Sequence, residues 1–226
     1  MRINPLLSTI FLCNPKCAST SIENLLDQDQ ATIVFNGVPR PPVGVGLKHV
    51  NAEFTKSKIL PFVNSIYPDI QFTKFCVVRE PLDHLFSWWK YRTKLAINSP
   101  MSTKKIQFAD FIQRYIDFRE GDNSAPAYVK VRGQSEFVLD EDQKVFTDKV
   151  FTLDRIDLVE RFISDRAGKN LSLDMHNRSP SAVESSKSLE SKLTEKLRKF
   201  LSDDDEIYKL ASISPDKVKS SFAFHR

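Results

Sequence analysis

Apolar positions gather first in the run Ser8 to Cys13, short and nearly continuous, which predicts a buried strand. It passes into a polar loop and then a helix carrying Ile22, Leu25 and Leu26. A short strand is predicted around Thr32 to Phe35, and NGVPRPPVGVG after it, dense in Gly and Pro, marks an irregular connection. Asn51 is placed to cap a helix beginning near Ala52, and Pro61 to restart it as the first residue of a second segment. Phe72 to Val78 is rich in β-formers and predicts a second buried strand. Pro81 then opens a helix with Leu82, Leu85, Phe86 and Trp89 on one stripe. Strand, helix, strand, helix in this order indicates an α/β protein with a parallel sheet.

Beyond that point the pattern loosens. Ile97 to Lys105 is expected to be a mobile loop, Phe108 to Phe118 a helix, and Glu120 to Asp142 mixed, so that residues 97–142 form an irregular insertion. Another strand is predicted at Val145 to Leu153, then a helix from Leu158 to Ala167 that Gly168 closes, then a Ser-rich loop from His176 to Lys187. Leu189, Leu193, Leu197, Phe200 and Leu201 mark an amphipathic helix and Glu206 to Ala211 a last short one, giving a helical C-terminal segment within residues 184–213. No repeat or linker divides the chain, so residues 1–226 are expected to form one domain.

Composition narrows the classes. A chain of 226 residues with 41% hydrophobic and 27% charged positions is ordinary for a globular protein and needs no disulfide to hold a core. A net charge of +4 is too small to indicate nucleic acid, though it suits a modest anion site. No apolar run is long enough for a membrane span, and the amino terminus has no signal-peptide pattern. Cys13 and Cys17 are four apart without paired partners, so no metal site is expected; Cys13 and Cys76 lie in apolar runs and read as buried thiols. An odd cysteine count without an export signal points to a reducing compartment, by default the cytoplasm.

Two segments carry candidate chemistry. Asn14-Pro15-Lys16-Cys17-Ala18-Ser19-Thr20-Ser21 joins a strand to a helix, where unpaired amides and the helix dipole favour a phosphate. Ser19, Thr20 and Ser21 add hydroxyl donors and Lys16 a point charge. This is not GxxxxGK[ST], because the loop lacks glycine and its lysine precedes the hydroxyls; a magnesium-dependent nucleotide triphosphatase is disfavoured. A Ser/Thr-capped helix with an exposed lysine explains the same residues. In FCVVREPLDHLFSWWKYR, Arg79 falls at the carboxyl end of a predicted parallel strand, where open α/β sheets place ligands. Ser87 lies off the apolar stripe of the helix that follows, so Arg79 and Ser87 could hold one phosphate, unless Arg79 pairs with Glu80 and Ser87 faces water.

Read together, the two segments resemble the PAPS-dependent sulfotransferases. NPKCASTS is similar to their 5′-phosphosulfate loop, written PKxGxTS, and VVREPLDHLFSWW to their 3′-phosphate motif, RxPxxxxxS after an apolar strand. KHVNAEF, RGQSEFV, LDMHNRSP and DDDEIYKL extend the resemblance over most of the chain, nearest the carbohydrate-type branch that includes Golgi glycan sulfotransferases. Two departures are the loop's missing glycine, with Cys17-Ala18 where small residues or glycine are usual, and the lack of the Golgi members' membrane anchor, which implies a soluble, bacterial-type relative. The resemblance implies a P-loop-NTPase-like three-layer α/β/α fold with a central, mainly parallel sheet. It implies PAPS as sulfate donor, PAP as product, no metal, and a small-molecule or glycan hydroxyl as acceptor. Lys16 would stabilise the leaving phosphate, the loop through Ser19, Thr20 and Ser21 would hold the 5′-phosphate, and Arg79 with Ser87 the 3′-phosphate.

His49 is the expected general base, since it follows a Gly-rich loop just before the helix capped by Asn51, where helix N-terminal charge would keep its ring neutral. Glu53 is the substitute carboxylate. Arg178 and Ser179 could return to the cofactor as late loops of the family do, and Arg132 and Gln134 resemble positions near its cleft. His84 on the polar face of its helix, His176 and His225 rank lower; Trp89 reads as core, while Trp88 remains open to stacking on adenine. Cys17 reads as a small filler or, at a helix start, as an oxidisable thiol. The alternatives are a catalytically inactive nucleotide-binding relative and a P-loop kinase, the latter opposed by the absence of a late loop lysine.

Overall fold

The computed structural model describes residues 1–28, 32–34, 47–174, 189 and 191–222. These form two compact units, the first drawn from residues 1–79, 134–177 and 207–226, the second from 80–133 and 178–206.

The first unit is an α/β structure around a five-stranded sheet: β1 Arg2–Asn4, β2 Thr9–Leu12, β3 Ile33–Val34, β4 Thr73–Val78 and β5 Lys149–Thr152, in the order β3-β1-β2-β4-β5. β2, β4 and β5 are parallel, with Leu12 opposite Cys76 and Val78 opposite Thr152. β1 is antiparallel to both β2 and β3, so the sheet is mixed rather than mainly parallel. Hydropathy could not reveal β1, because its one apolar residue, Ile3, stands between Arg2 and Asn4. Both are nonetheless buried, Arg2 forked onto Asp27 at 2.7 and 2.9 Å, Asn4 bonded to the Leu7 amide and to Thr32.

Side chains alternate between the faces as strand geometry requires. Ile10, Leu12, Cys76, Val78 and Val150 pack on one side with Val63, Ile207, Ala211 and Val218. These last come from the helices α3 Leu60–Ile66, α8 Ser202–Ile213 and α9 Lys217–Ser221. Phe11, Cys13, Phe75, Val77 and Phe151 pack on the other side. There they meet Ile22, Leu25 and Leu26 of α1 Ser19–Asp27 and Val159 and Ile163 of α6 Ile156–Ala167, which ends at Gly168 with φ 61°. Phe75 is the hub of that face, with Phe11 stacked at 5.0 Å and Phe162 and Phe151 edge-on at 5.3 and 6.0 Å.

The Asn51 cap forms, its side chain accepting the Phe54 amide at 2.9 Å, and opens α2 Ala52–Phe54. A π-helical turn, Thr55–Ile59, runs on into α3, where Pro61 occupies the first turn. The last predicted helix is longer than 206–211: α8 starts earlier, with Asp203, Asp204 and Asp205 in a first turn whose dipole favours acids. The short α9 was not expected from the pattern, and the expected loop 176–187 and Phe35 lie outside the described residues.

The second unit is helical. α4 Pro81–Arg92, α5 Phe108–Arg119 and α7 Ser191–Phe200 bury Leu85, Phe86, Phe111, Ile112, Tyr115 and Leu197 together. Trp89 packs against this cluster and its indole N–H donates to the Ile106 carbonyl at 2.9 Å. Among the described residues no helix is long and apolar enough to cross a membrane.

The hub assigned to Phe75 has a measurable consequence. Phe75→Ala removes a ring that is 0% exposed and is expected to cost about 3–5 kcal/mol in urea denaturation. A loss under about 1 kcal/mol would show that the aromatic face is not packed as described.

Candidate functional site

The parallel strands β2 and β4 are neighbours whose connections leave for opposite sides of the sheet, β2 toward β3 and β4 toward β5. Open α/β sheets form a crevice at such a switch point, outside the carboxyl ends of the strands. The lysine-bearing loop leaves β2 at that edge, and Arg79 directly follows β4.

The loop turns twice through left-handed backbone, with φ 66° at Lys16 and 54° at Ala18. Each costs an L-residue about 1–2 kcal/mol, and Ala18 is one of the two residues standing where glycine is usual. Alanine, the smallest side chain after glycine, makes this turn at some strain. Ala18 is also the N-cap of α1 and has no side-chain acceptor to offer. Ser19, Thr20 and Ser21 occupy the first turn, so the Ser/Thr-capped alternative does not hold. The first bond to the cap runs from the Ile22 amide to the Ala18 carbonyl at 3.1 Å. The three amides before it are those a helix cannot satisfy itself, and they point toward the loop. Ser19 and Ser21 are buried and Thr20 is exposed.

Gln134 ties this loop to Arg79. Its carboxamide is 0% exposed, and its Oε1 accepts the Arg79 amide at 2.8 Å, the Cys17 thiol at 3.3 Å and the Asn14 carboxamide at 3.3 Å. Its Nε2 donates to the Arg79 carbonyl at 2.7 Å. Asn14, also buried, donates further to the Val77 carbonyl at 3.0 Å. Cys17 is thus a buried hydrogen-bonding filler, and the Arg79 backbone is held on both sides by one side chain. The Glu80 carboxylate caps α4 by accepting the Asp83 amide at 2.7 Å, and burial raises its pKa.

His49 ends the 3-10 turn Leu47–His49, and its Nδ1 lies 2.7 Å from the Cys13 carbonyl at the start of the same loop. A carbonyl only accepts, so Nδ1 carries the proton and Nε2 holds the lone pair of the neutral ring. The pKa of His49 is lowered from 6.5, first by burial and then by Lys48 and the Met1 amino group, against the Cys13 bond and Glu23, which raise it. The ring is therefore neutral at pH 7, with burial rather than a helix terminus as the main cause. Glu53 accepts the Glu141 amide at 3.3 Å. A cavity of about 280 Å³ is lined by Asn51, Glu53, Ser135, Glu136, Asp140 and Gln143 among others, and Lys16, His49 and Arg79 are not among its lining residues.

The first unit thus brings together Lys16, Cys17, Ala18, Ser19, Thr20, Ser21, His49 and the backbone of Arg79. Ser87 belongs to the second unit and is buried, not solvent-facing. His84 is also buried there, its ring edge-on to Trp88 at 6.4 Å, because residues four apart share a helix face. Arg178, Ser179, His176 and His225 lie outside the described residues. The sequence did not single out Asn14, whose only signal is a polar residue ending a buried strand, or the linking role of Gln134, which lies far from both motifs. No family model matches the chain, and neither a curated protein nor a solved structure does.

Gln134→Met keeps the volume but strips the Arg79 amide of its acceptor and the Arg79 carbonyl of its donor. At 1–3 kcal/mol for each orphaned group the variant is expected to lose about 2–6 kcal/mol in urea denaturation. A change within about 0.5 kcal/mol would contradict the role given to this side chain.

Proposed function

We propose that this chain is a PAPS-dependent sulfotransferase of the P-loop-like three-layer kind, moving a sulfuryl group to a hydroxyl, with a carbohydrate as acceptor. The observation that carries the reading is the Gln134 carboxamide. It draws the two segments that resemble the family's 5′- and 3′-phosphate motifs to one end of one sheet. Helices on both faces of the sheet favour the layered fold.

The residues fit a phosphate-bearing donor: a left-handed cap without its own acceptor leaves first-turn amides available to an anion. PAPS, when bound, supplies an activated sulfuryl group that is transferred in line. The α1 amides with the Ser19, Thr20 and Ser21 hydroxyls bind the 5′-phosphate. Lys16 holds positive charge at the bridging oxygen, and Arg79 binds the 3′-phosphate. His49 Nε2 takes the proton of the acceptor hydroxyl, its other nitrogen held by the Cys13 carbonyl. The cavity favours a polyhydroxylated acceptor, because its amide, hydroxyl and carboxylate walls can accept from or donate to sugar hydroxyls. Asn51 lies two residues past His49, and Ser135 directly follows Gln134.

PAP is expected to raise the melting temperature in the presence of EDTA, and Arg79→Ala to abolish that shift. His49→Ala should still bind PAP while turnover falls about 10²-fold. The acid limb of kcat/KM should lie below 6.5, since protonation of a ring whose pKa is lowered removes the base only at lower pH. No PAP binding by the wild-type chain would refute the reading, and full activity in His49→Ala would remove His49 from it.

A further inference from the structure

One buried carboxylate of the first unit has no part in the chemistry above. Glu23 lies one turn into α1, beside Ile22 and near Leu25 and Leu26, and is 2% exposed. Isolated there it would be costly. It is instead held by Arg2 Nη1 at 3.0 Å and Lys48 Nζ at 2.6 Å, and its Oε1 accepts the Cys13 thiol at 3.4 Å. Two of these partners bracket the bond that orients His49. Lys48 precedes His49 in the 3-10 turn, and Cys13 supplies the carbonyl that accepts from Nδ1.

We propose that Glu23 is a positioning residue for His49, gripping Lys48 and Cys13 from inside α1 so that Nδ1 stays the donor and Nε2 the base. The inference rests on the reading of His49 as the base. An apolar side chain would fill the same space at lower desolvation cost, so what the charge adds is direction. A lysine drawn onto a buried carboxylate fixes the turn that ends in His49 more narrowly than contact between flexible side chains does. The same helix begins with the anion-binding turn, so α1 sets the spacing between that turn and the base. Among the described residues, the charged groups acting on His49 include Lys48 and the Met1 amino group, which oppose its protonation, and Glu23, which favours it.

The test is a pH titration of the His49 ring nitrogens by ¹⁵N NMR on the full chain, comparing wild type, Glu23→Gln and Lys48→Met. The neutral wild-type ring is expected as the Nδ1–H tautomer. Glu23→Gln should move the midpoint down and Lys48→Met up, and both should admit the Nε2–H tautomer. In turnover, Glu23→Gln should lower kcat about 10- to 100-fold with KM unchanged. A merely structural role would lower thermal stability in both variants and leave midpoint and tautomer as in wild type, and that result overturns the proposal. Should Glu23→Gln not fold, Lys48→Met, altered at a side chain 33% exposed, carries the same test. The titration needs no sulfuryl transfer, so failure of wild-type PAP binding would strike the functional reading and leave this result readable by itself.

Discussion

A single buried carboxamide holds the site together. Gln134 gives both ends of its amide to the Arg79 backbone and shares the same oxygen with Asn14 and Cys17 of the neighbouring strand's loop. Buried amides are costly unless satisfied, and this one is satisfied only while the ends of β2 and β4 keep their present spacing. Packing alone would hold two parallel strands side by side; it would not fix the loop that leaves one against the residue that follows the other. The carboxamide does so without charge.

The loop bears a cost for its shape. Lys16 and Ala18 both adopt left-handed backbone, a conformation that persists in non-glycine residues only where the surroundings enforce it. Those surroundings are visible: Cys17, between the two, is anchored by Gln134, and the Cys13 carbonyl before them is bonded to His49. The strained backbone and the first-turn amides of α1 thus belong to one short segment, the His49 imidazole is hydrogen-bonded to its start, and Glu23 of the same helix accepts the Cys13 thiol.

Much of this was legible in the sequence, and the limits have physical causes. Continuous apolar runs announced β2 and β4 because those strands are buried on both faces, and the Asn51 cap and Gly168 stop were readable because their chemistry is local. β1 was hidden because Arg2 and Asn4 are buried through partners far along the chain rather than through hydropathy. The lysine loop and Arg79 stood out by motif, yet what joins them did not. Gln134 sits 55 residues from Arg79 and 117 from Cys17, and a glutamine in an irregular segment carries no periodic signal. Glu23 was invisible for a related reason, since an acid among apolar helix positions reads as a solvated neighbour until its cations are located.

The central claim is that the helix start after β2 and the residue after β4 bind two ends of one nucleotide. Amide hydrogen exchange, followed residue by residue with and without PAP, tests it most directly. The account expects the amides of Ser19 to Ser21 and that of Arg79 to gain protection at the same PAP concentration, and 5′-AMP to protect the former far more than the latter. Protection confined to other surfaces, or to one of the two segments with PAP saturating, would contradict it.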